Sequence, residues 1–456
     1  MEQSAIIREC HNIEKELSLG DFTIKGIPIW RILRFSARIH YINNKVEYNE
    51  STSKPFTVGR RTLKLFSGFW RFLGRKNTTM VFPFGRLAFD DQQYFDKFTD
   101  PVLDISGFDN KAYFIVDSGY FQGNYKRLHK SNAISNEYRT VSRQILRHLL
   151  KLYFRICKNK VVVELYNTIK EPFQVTDEYL TIMNDKVAYF FADYYYNLFW
   201  FRLIKPKRAF IVYREGYLSV LAACKKLAIP VAEFQHGITL DDTTSYTGDY
   251  DSRIDPDYFL VFGNYWRGPQ FGMPLERIIP VGWAYGNYIK THFDMSAKQP
   301  KANVLVISSS EISEQILDAL IILSPVLQEV QFHIRLHPSE AYDERLQQKL
   351  KTIPNAKVVN NRIDSAKVLP QYSRVIGENS SVLYEALSYG CKVGMLNICG
   401  LHPATYTPGI KDSFSIIDSK DDFERFMSEE EVKVNPNAFY TDFDANLFNA
   451  FIEEKM

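Results

Sequence analysis

At 456 residues the chain exceeds what one hydrophobic core usually supports, so two domains are the first expectation. A composition 45% hydrophobic and 24% charged excludes a disordered chain and an integral membrane protein. A net charge of +3 is too small to imply a nucleic-acid partner, and the 5 cysteines lack the CxxC spacing of a zinc site or a disulfide framework.

The chain opens with "MEQSAIIRECHNIEKELS", which has no apolar leader core, and no run reaches the roughly 18 apolar residues needed to span a bilayer. The expectation is therefore a cytoplasmic protein. "GRRTLKLFSGFWRFLGRKN" (59–77) carries basic residues and no acid, with Arg60, Lys64, Arg71 and Arg75 on one side of a helical wheel. Strands are predicted over 79–85 and 111–117. A second basic amphipathic stretch (143–160) then places Arg143, Arg147, Lys151 and Arg155 at four-residue spacing. Both basic stretches suit an anionic inner-leaflet surface, or alternatively pack their apolar sides on the N-terminal domain. A long buried helix (180–204) follows, then strand 208–216, helix 217–228, and strands 229–237, 256–263 and 277–283. Asp241 and Asp242 read as a solvated loop, and no metal site is expected. The hydrophilic run 290–303 is the candidate hinge.

Beyond it strands and helices alternate: 303–308, 311–327, 330–338, 339–353, 356–360, 373–379, 380–390 and 392–397, with a closing helix in 435–456. This rhythm predicts parallel sheets with helices on both faces. The expected division is 1–290, 300–434 and the closing segment 435–456, with two Rossmann-like domains facing across a cleft. Ligands of such sheets sit outside the carboxyl ends of the strands. Strand exits therefore carry the chemistry. "YREG" offers Glu215 and "QHG" offers His236, each a candidate general base. Ser308, Ser309 and Ser310 follow one strand, and His337 and Pro338 another, with Ser339 as the expected helix cap. "GENSS" supplies Glu378, Asn379, Ser380 and Ser381, where a capped helix N-terminus offers amide groups to a phosphate. The serines and Asn379 could equally serve as caps alone. No P-loop, dinucleotide fingerprint or nucleophile elbow is present.

"VAEFQHGI", "DPDYFLVFGNYWR", "RLHPSE" and "GENSSVLYEALSYG" together resemble bacterial GT-B glycosyltransferases of capsule and O-antigen assembly, over about residues 205 to 400. The histidine–proline and double-serine motifs are similar to those of sialyltransferases and Kdo transferases. That resemblance implies that His337, Ser380 and Ser381 hold the phosphate of a nucleotide sugar such as a CMP-linked one. It places the base on Glu215, although Arg214 stands where the family has an acid. Polyglycerol-phosphate transferases of teichoic acid synthesis are similar too and favour His236. Glu378 and Glu385 fall one residue short of the E-x7-E spacing of retaining enzymes, so an inverting reaction is expected. The implied activity is metal-independent glycosyl transfer to a glycan or lipid-linked glycan. Its rivals are a CDP-alditol phosphotransferase and a non-catalytic nucleotide- or glycan-binding assembly protein.

Overall fold

The computed structural model describes residues 3–45, 73–90, 93–109, 111–117, 126–129, 132–135, 143–144, 146–153, 159–239, 243–268, 272–309, 312–337, 340, 342–378, 380–402, 410–429 and 439–456. The chain divides into two compact units. One is Met1–Leu260 with Gly268–Ile279 and Ala445–Met456; the other is Val261–Arg267 with Pro280–Asp444.

The first unit is built on β1 (Thr79–Phe82), β2 (Tyr113–Asp117), β3 (Ala133–Ser135), β4 (Arg208–Val212), β5 (Val231–Phe234), β6 (Tyr258–Leu260) and β7 (Ile278–Ile279). They form one sheet in the order β7-β6-β5-β4-β1-β2-β3, every pair parallel. The central strands β1 and β5 are buried at every residue, as expected where helices cover both faces. Around the sheet lie α1 (Gln3–Glu16), α2 (Ile29–Lys45), α3 (Tyr179–Ile204) and α4 (Leu218–Lys226). α3 is apolar around most of its circumference, which a helix tolerates only when enclosed, and it packs against both α4 and α2.

The second unit holds β8 (Asn303–Ile307), β9 (Gln331–Arg335), β10 (Ala356–Val358), β11 (Arg374–Gly377), β12 (Lys392–Leu396) and β13 (Ser415–Ile417). Their order is β10-β9-β8-β11-β12-β13, again parallel throughout. α5 (Ser313–Leu323), α6 (Glu344–Leu350) and α7 (Ser381–Ser388) are among its helices. In both sheets the first strand lies between the second and the fourth. That is the doubly wound Rossmann order, which creates a crevice where the winding reverses. The α/β class with two Rossmann-like sheets is thus as the sequence predicted.

The terminal helix α8 (Ala445–Lys455) belongs to the first unit. Phe448 is wholly buried, with its ring 5.7 Å from that of Phe210 and 6.0 Å from that of Phe234. Full burial of a phenylalanine side chain stabilises by roughly 1.5–3 kcal/mol, and Asn449 adds a hydrogen bond to the Ser106 carbonyl.

One element differs from the sequence reading. The helix expected from Ser339 begins at Glu344, because the Asp343 side chain accepts the N–H of Leu346 and caps the helix there. Pro338 and Ser339 lie outside the described residues.

Candidate functional site

In the first unit the winding reverses between β1 and β4, and a pocket of about 340 Å³ opens there, lined by Phe84, Arg143, Arg147, Asp193, Tyr213 and Tyr217 among others. Tyr213 leaves β4 with φ 68 and ψ 87, the left-handed region that a bulky side chain rarely adopts. This conformation swings the chain into the short turn Arg214–Gly216. The Tyr217 hydroxyl donates to the Pro83 carbonyl at 2.6 Å, tying the exits of β4 and β1 together.

The two candidate bases meet different surroundings. Glu215 is buried, its side chain 7% exposed, and accepts from the Arg31 guanidinium at 2.5 Å. Arg31 also holds Asp255 through Nε at 3.2 Å and Nη2 at 3.0 Å. Asp255 stays below the ordinary carboxylate range: burial pushes it up, but Arg31, Arg214 and Arg34 outweigh burial.

His236, after β5, is half-buried among Phe84, Tyr213 and Phe98 at ring separations of 4.7, 4.9 and 6.3 Å. Burial lowers its pKa to about 3, with Arg86 and Arg214 pushing the same way. Its Nδ1 is 3.0 Å from the Tyr246 hydroxyl, which donates to Glu233 Oε1 at 2.9 Å. A phenol has one proton and a carboxylate only accepts, so the Tyr246 oxygen is left to accept from His236 Nδ1–H. Nε2 then carries the lone pair. Glu233 is fully buried within β5 and is held by the Arg214 backbone N–H at 2.8 Å and by its Nε at 2.7 Å. Arg214 thus anchors this chain of hydrogen bonds. Gly237 has no left-handed φ, and a Cβ there would meet nothing within 4 Å.

Basic residues of the 143–160 stretch find acids on α3. Arg147 Nε donates to Asp193 Oδ1 at 2.9 Å, Arg143 lies 3.5 Å from Asp193, and Lys151 pairs with Asp185 at 2.6 Å. Four-residue spacing on one helix thus meets acids eight residues apart on another, running the opposite way. Leu149, Leu152 and Tyr153 are left exposed. Residues 59–72 of the other basic stretch lie outside the described residues. Among the described residues no helix is long and apolar enough to cross a membrane.

In the second unit the three adjacent strands β9, β8 and β11 bring their carboxyl ends to one edge of the sheet. Ser308, Ser309, His337, Glu378, Ser380 and Ser381 therefore share that edge; Ser310, Pro338 and Asn379 lie outside the described residues. Glu340 links two of the exits: its Oε1 accepts from Ser308 Oγ at 3.1 Å and its Oε2 from the His337 backbone N–H at 2.9 Å. Ser380 caps α7, accepting the Val382 N–H at 3.3 Å, and Glu378 accepts the N–H of His402 at 3.0 Å. Gly377 is needed for close approach, since a Cβ would lie 3.0 Å from the Ile307 carbonyl of β8. A cavity of about 950 Å³ lined by Lys301, Val330 and Arg374 sits at the amino ends of these strands. That is the wrong edge for the ligand of a doubly wound sheet.

Sequence reasoning missed Arg31, Glu233, Tyr246, Asp255, Asp193 and Glu340. Glu233 and Asp193 carried a signal, since each is a lone acid inside an apolar run and a buried charge demands a partner. Tyr246 and Asp255 carried none.

No family model matches the chain, and no curated protein does. Among solved structures it is similar to a putative UDP-N-acetylglucosamine 2-epimerase from Listeria monocytogenes, with 11% identity, 83% of this chain and 96% of that one covered, and a TM-score of 0.49. It is similar to the UDP-GlcNAc 2-epimerase from Neisseria meningitidis bound to UDP-GlcNAc, with 10% identity, 83% and 98% covered, and a TM-score of 0.46. It is similar also to the wall teichoic acid polymerase TagF, with 13% identity, 92% of each chain covered, and a TM-score of 0.40. The strand orders, and not these likenesses, carry the fold assignment.

Proposed function

We propose that the chain is an inverting glycosyltransferase of the GT-B type, moving a sugar from a nucleotide-activated donor to a hydroxyl of a surface-polysaccharide acceptor. The observation that carries this reading is His236, a neutral imidazole at a strand exit whose tautomer is set by Tyr246 and the buried Glu233. The second unit holds the nucleotide phosphate at Ser308, His337 and the capped start of α7. The first unit activates the acceptor, with His236 as base and Glu215 as the counter-ion of Arg31.

In the reaction Nε2 of His236 takes the proton of the acceptor hydroxyl as that oxygen attacks the anomeric carbon. The bond from this carbon to the nucleotide phosphate breaks, the electron pair leaves with the phosphate, and the configuration inverts. Charge growing on the imidazole is met through Tyr246 by Glu233. Charge on the leaving phosphate is assigned to His337 and the first-turn amides of α7.

The test is product analysis with CMP-, CDP-, UDP- and GDP-sugars and a glycan acceptor. His236→Ala is expected to lower kcat/KM by roughly 10²–10⁴-fold. Tyr246→Phe loses one hydrogen bond of the relay and is expected to cost about tenfold. Full transfer by His236→Ala would sink the choice of base. Phosphorus NMR that finds the donor's phosphate in the product would replace glycosyl transfer by alditol-phosphate transfer. No turnover of any donor would leave a binding protein.

A further inference from the structure

Phe84, just past the exit of β1, links three features of the first unit. Its ring and that of Tyr213 line the pocket of about 340 Å³ at the winding reversal. The same ring lies 4.7 Å from the His236 imidazole, and the Arg86 guanidinium stands 5.4 Å over it, within cation–π reach. The backbone that carries these side chains is pinned. Gly85 takes φ 85, a left-handed conformation that glycine enters without strain, and donates its N–H to Asp96 Oδ2 at 2.9 Å. The Arg86 carbonyl accepts the Lys97 N–H at 3.1 Å.

The acids around this exit are already engaged. Glu215 is held by Arg31, and Glu233 by Arg214 and Tyr246. Asp193, the acid among the pocket's described lining residues, is held by Arg147, with Arg143 3.5 Å away. Asp96 is buried and accepts the N–H groups of Gly85, Phe98 and Thr99. Arg86 is exposed and has neither a hydrogen bond nor an ion pair among the described residues. Its charge and that of Arg214 both oppose protonation of His236. A base that carries a proton through the transfer is hindered by a lone cation beside it, unless the substrate brings an anion to that cation. A guanidinium over a ring face also keeps its N–H fork free at the edge, where it matches two oxygens of a carboxylate or phosphate.

We infer that Arg86 selects the acceptor, pairing with a carboxylate or phosphate on the sugar whose hydroxyl His236 deprotonates, so that the acceptor is an acidic glycan. The inference rests on the assignment of His236 as base and adds to it the charge of the substrate.

Two readouts test it, and the first needs neither donor nor turnover. The full chain is titrated with glucuronate, glucose 6-phosphate and glucose, followed through the imidazole resonances of His236. At least one acidic sugar is expected to shift these resonances, with glucose requiring about tenfold more or failing to do so. A response to glucuronate alone identifies a carboxylate site, and one to glucose 6-phosphate alone a phosphate site. Arg86→Met is expected to weaken the acidic sugar about tenfold or more, and Arg86→Lys to restore part of the loss. Both variants are expected to melt as wild type does, since the side chain is exposed. In transfer assays the ratio of kcat/KM for an acidic over a neutral acceptor is expected to fall about tenfold in Arg86→Met. If no donor is turned over while an acidic sugar still shifts His236 in an Arg86-dependent way, the anion site stands and glycosyl transfer falls. Equal response to glucose and to the acidic sugars, no response to any of them, or a response unchanged in Arg86→Met overturns the inference.

Discussion

In the proposed reaction His236 is the base, and its environment dictates a pH signature. An unperturbed histidine titrates near 6.5, whereas burial, Arg86 and Arg214 bring this one to about 3. A base that must be neutral to act is then ready at every pH above about 3. The kcat/KM profile is therefore expected to stay flat as pH falls through the range around 6.5. An acid limb centred near 6.5 that disappears in His236→Ala would contradict this environment. The same shift sets a stability window. Below pH 6.5 the unfolded chain takes up a proton that the folded chain refuses until about pH 3, so the unfolded state binds more protons in between. His236 therefore costs stability increasingly as pH falls from 6.5 toward 3 and costs nothing above 6.5. Urea midpoints of wild type and His236→Gln are expected to diverge in that window, with the variant falling less steeply.

At the scale of elements, caps decide where helices begin and hence where amide groups point. Ser380 lies in extended backbone (φ −100, ψ 143) and accepts the Val382 N–H, so α7 starts beside the exit of β11. Ser380→Ala is expected to cost about 1 kcal/mol of stability, read as a lowered denaturation midpoint. If Ser380 also touches the donor phosphate, its loss weakens nucleotide binding beyond what the stability change explains. α6 shows the same physics used otherwise. Asp343 caps it far beyond His337, which leaves the turn after β9 to be organised by Glu340. The segment around 143–153 shows why a charge pattern alone is ambiguous. Its arginines and lysine run along one side as a membrane-surface helix would have them, yet Asp185 and Asp193 of α3 claim them.

At the scale of the whole molecule, each unit has its own core and its own doubly wound sheet, so ligand effects should be separable by unit. A nucleotide held at the carboxyl edge of the second sheet is expected to protect backbone amides from hydrogen exchange after β8, β9 and β11, around residues 308–309, 337–340 and 380–383. Protection confined to the amino edge, near Lys301 and Arg374 where the cavity of about 950 Å³ lies, would move the donor site to the other end of the sheet.

The amino-acid sequence by itself determined the alternation of strand and helix, the apolar central strands, the buried α3 and the set of strand exits that bear polar residues. These are local properties: hydrophobic periodicity and cap chemistry act within one or two turns, and each reads out wherever the segment sits. Tertiary structure decided which polar residues meet. Glu233 is one strand residue away from Phe234 in "VAEFQHGI", but its partners Arg214 and Tyr246 arrive from the exit of β4 and from the loop that follows β5. Arg31, Glu215 and Asp255 come together from positions hundreds of residues apart in part. The reason is the cost of burying charge. A buried carboxylate or guanidinium must find its counterpart wherever the fold delivers one, and no periodicity along the chain records that delivery.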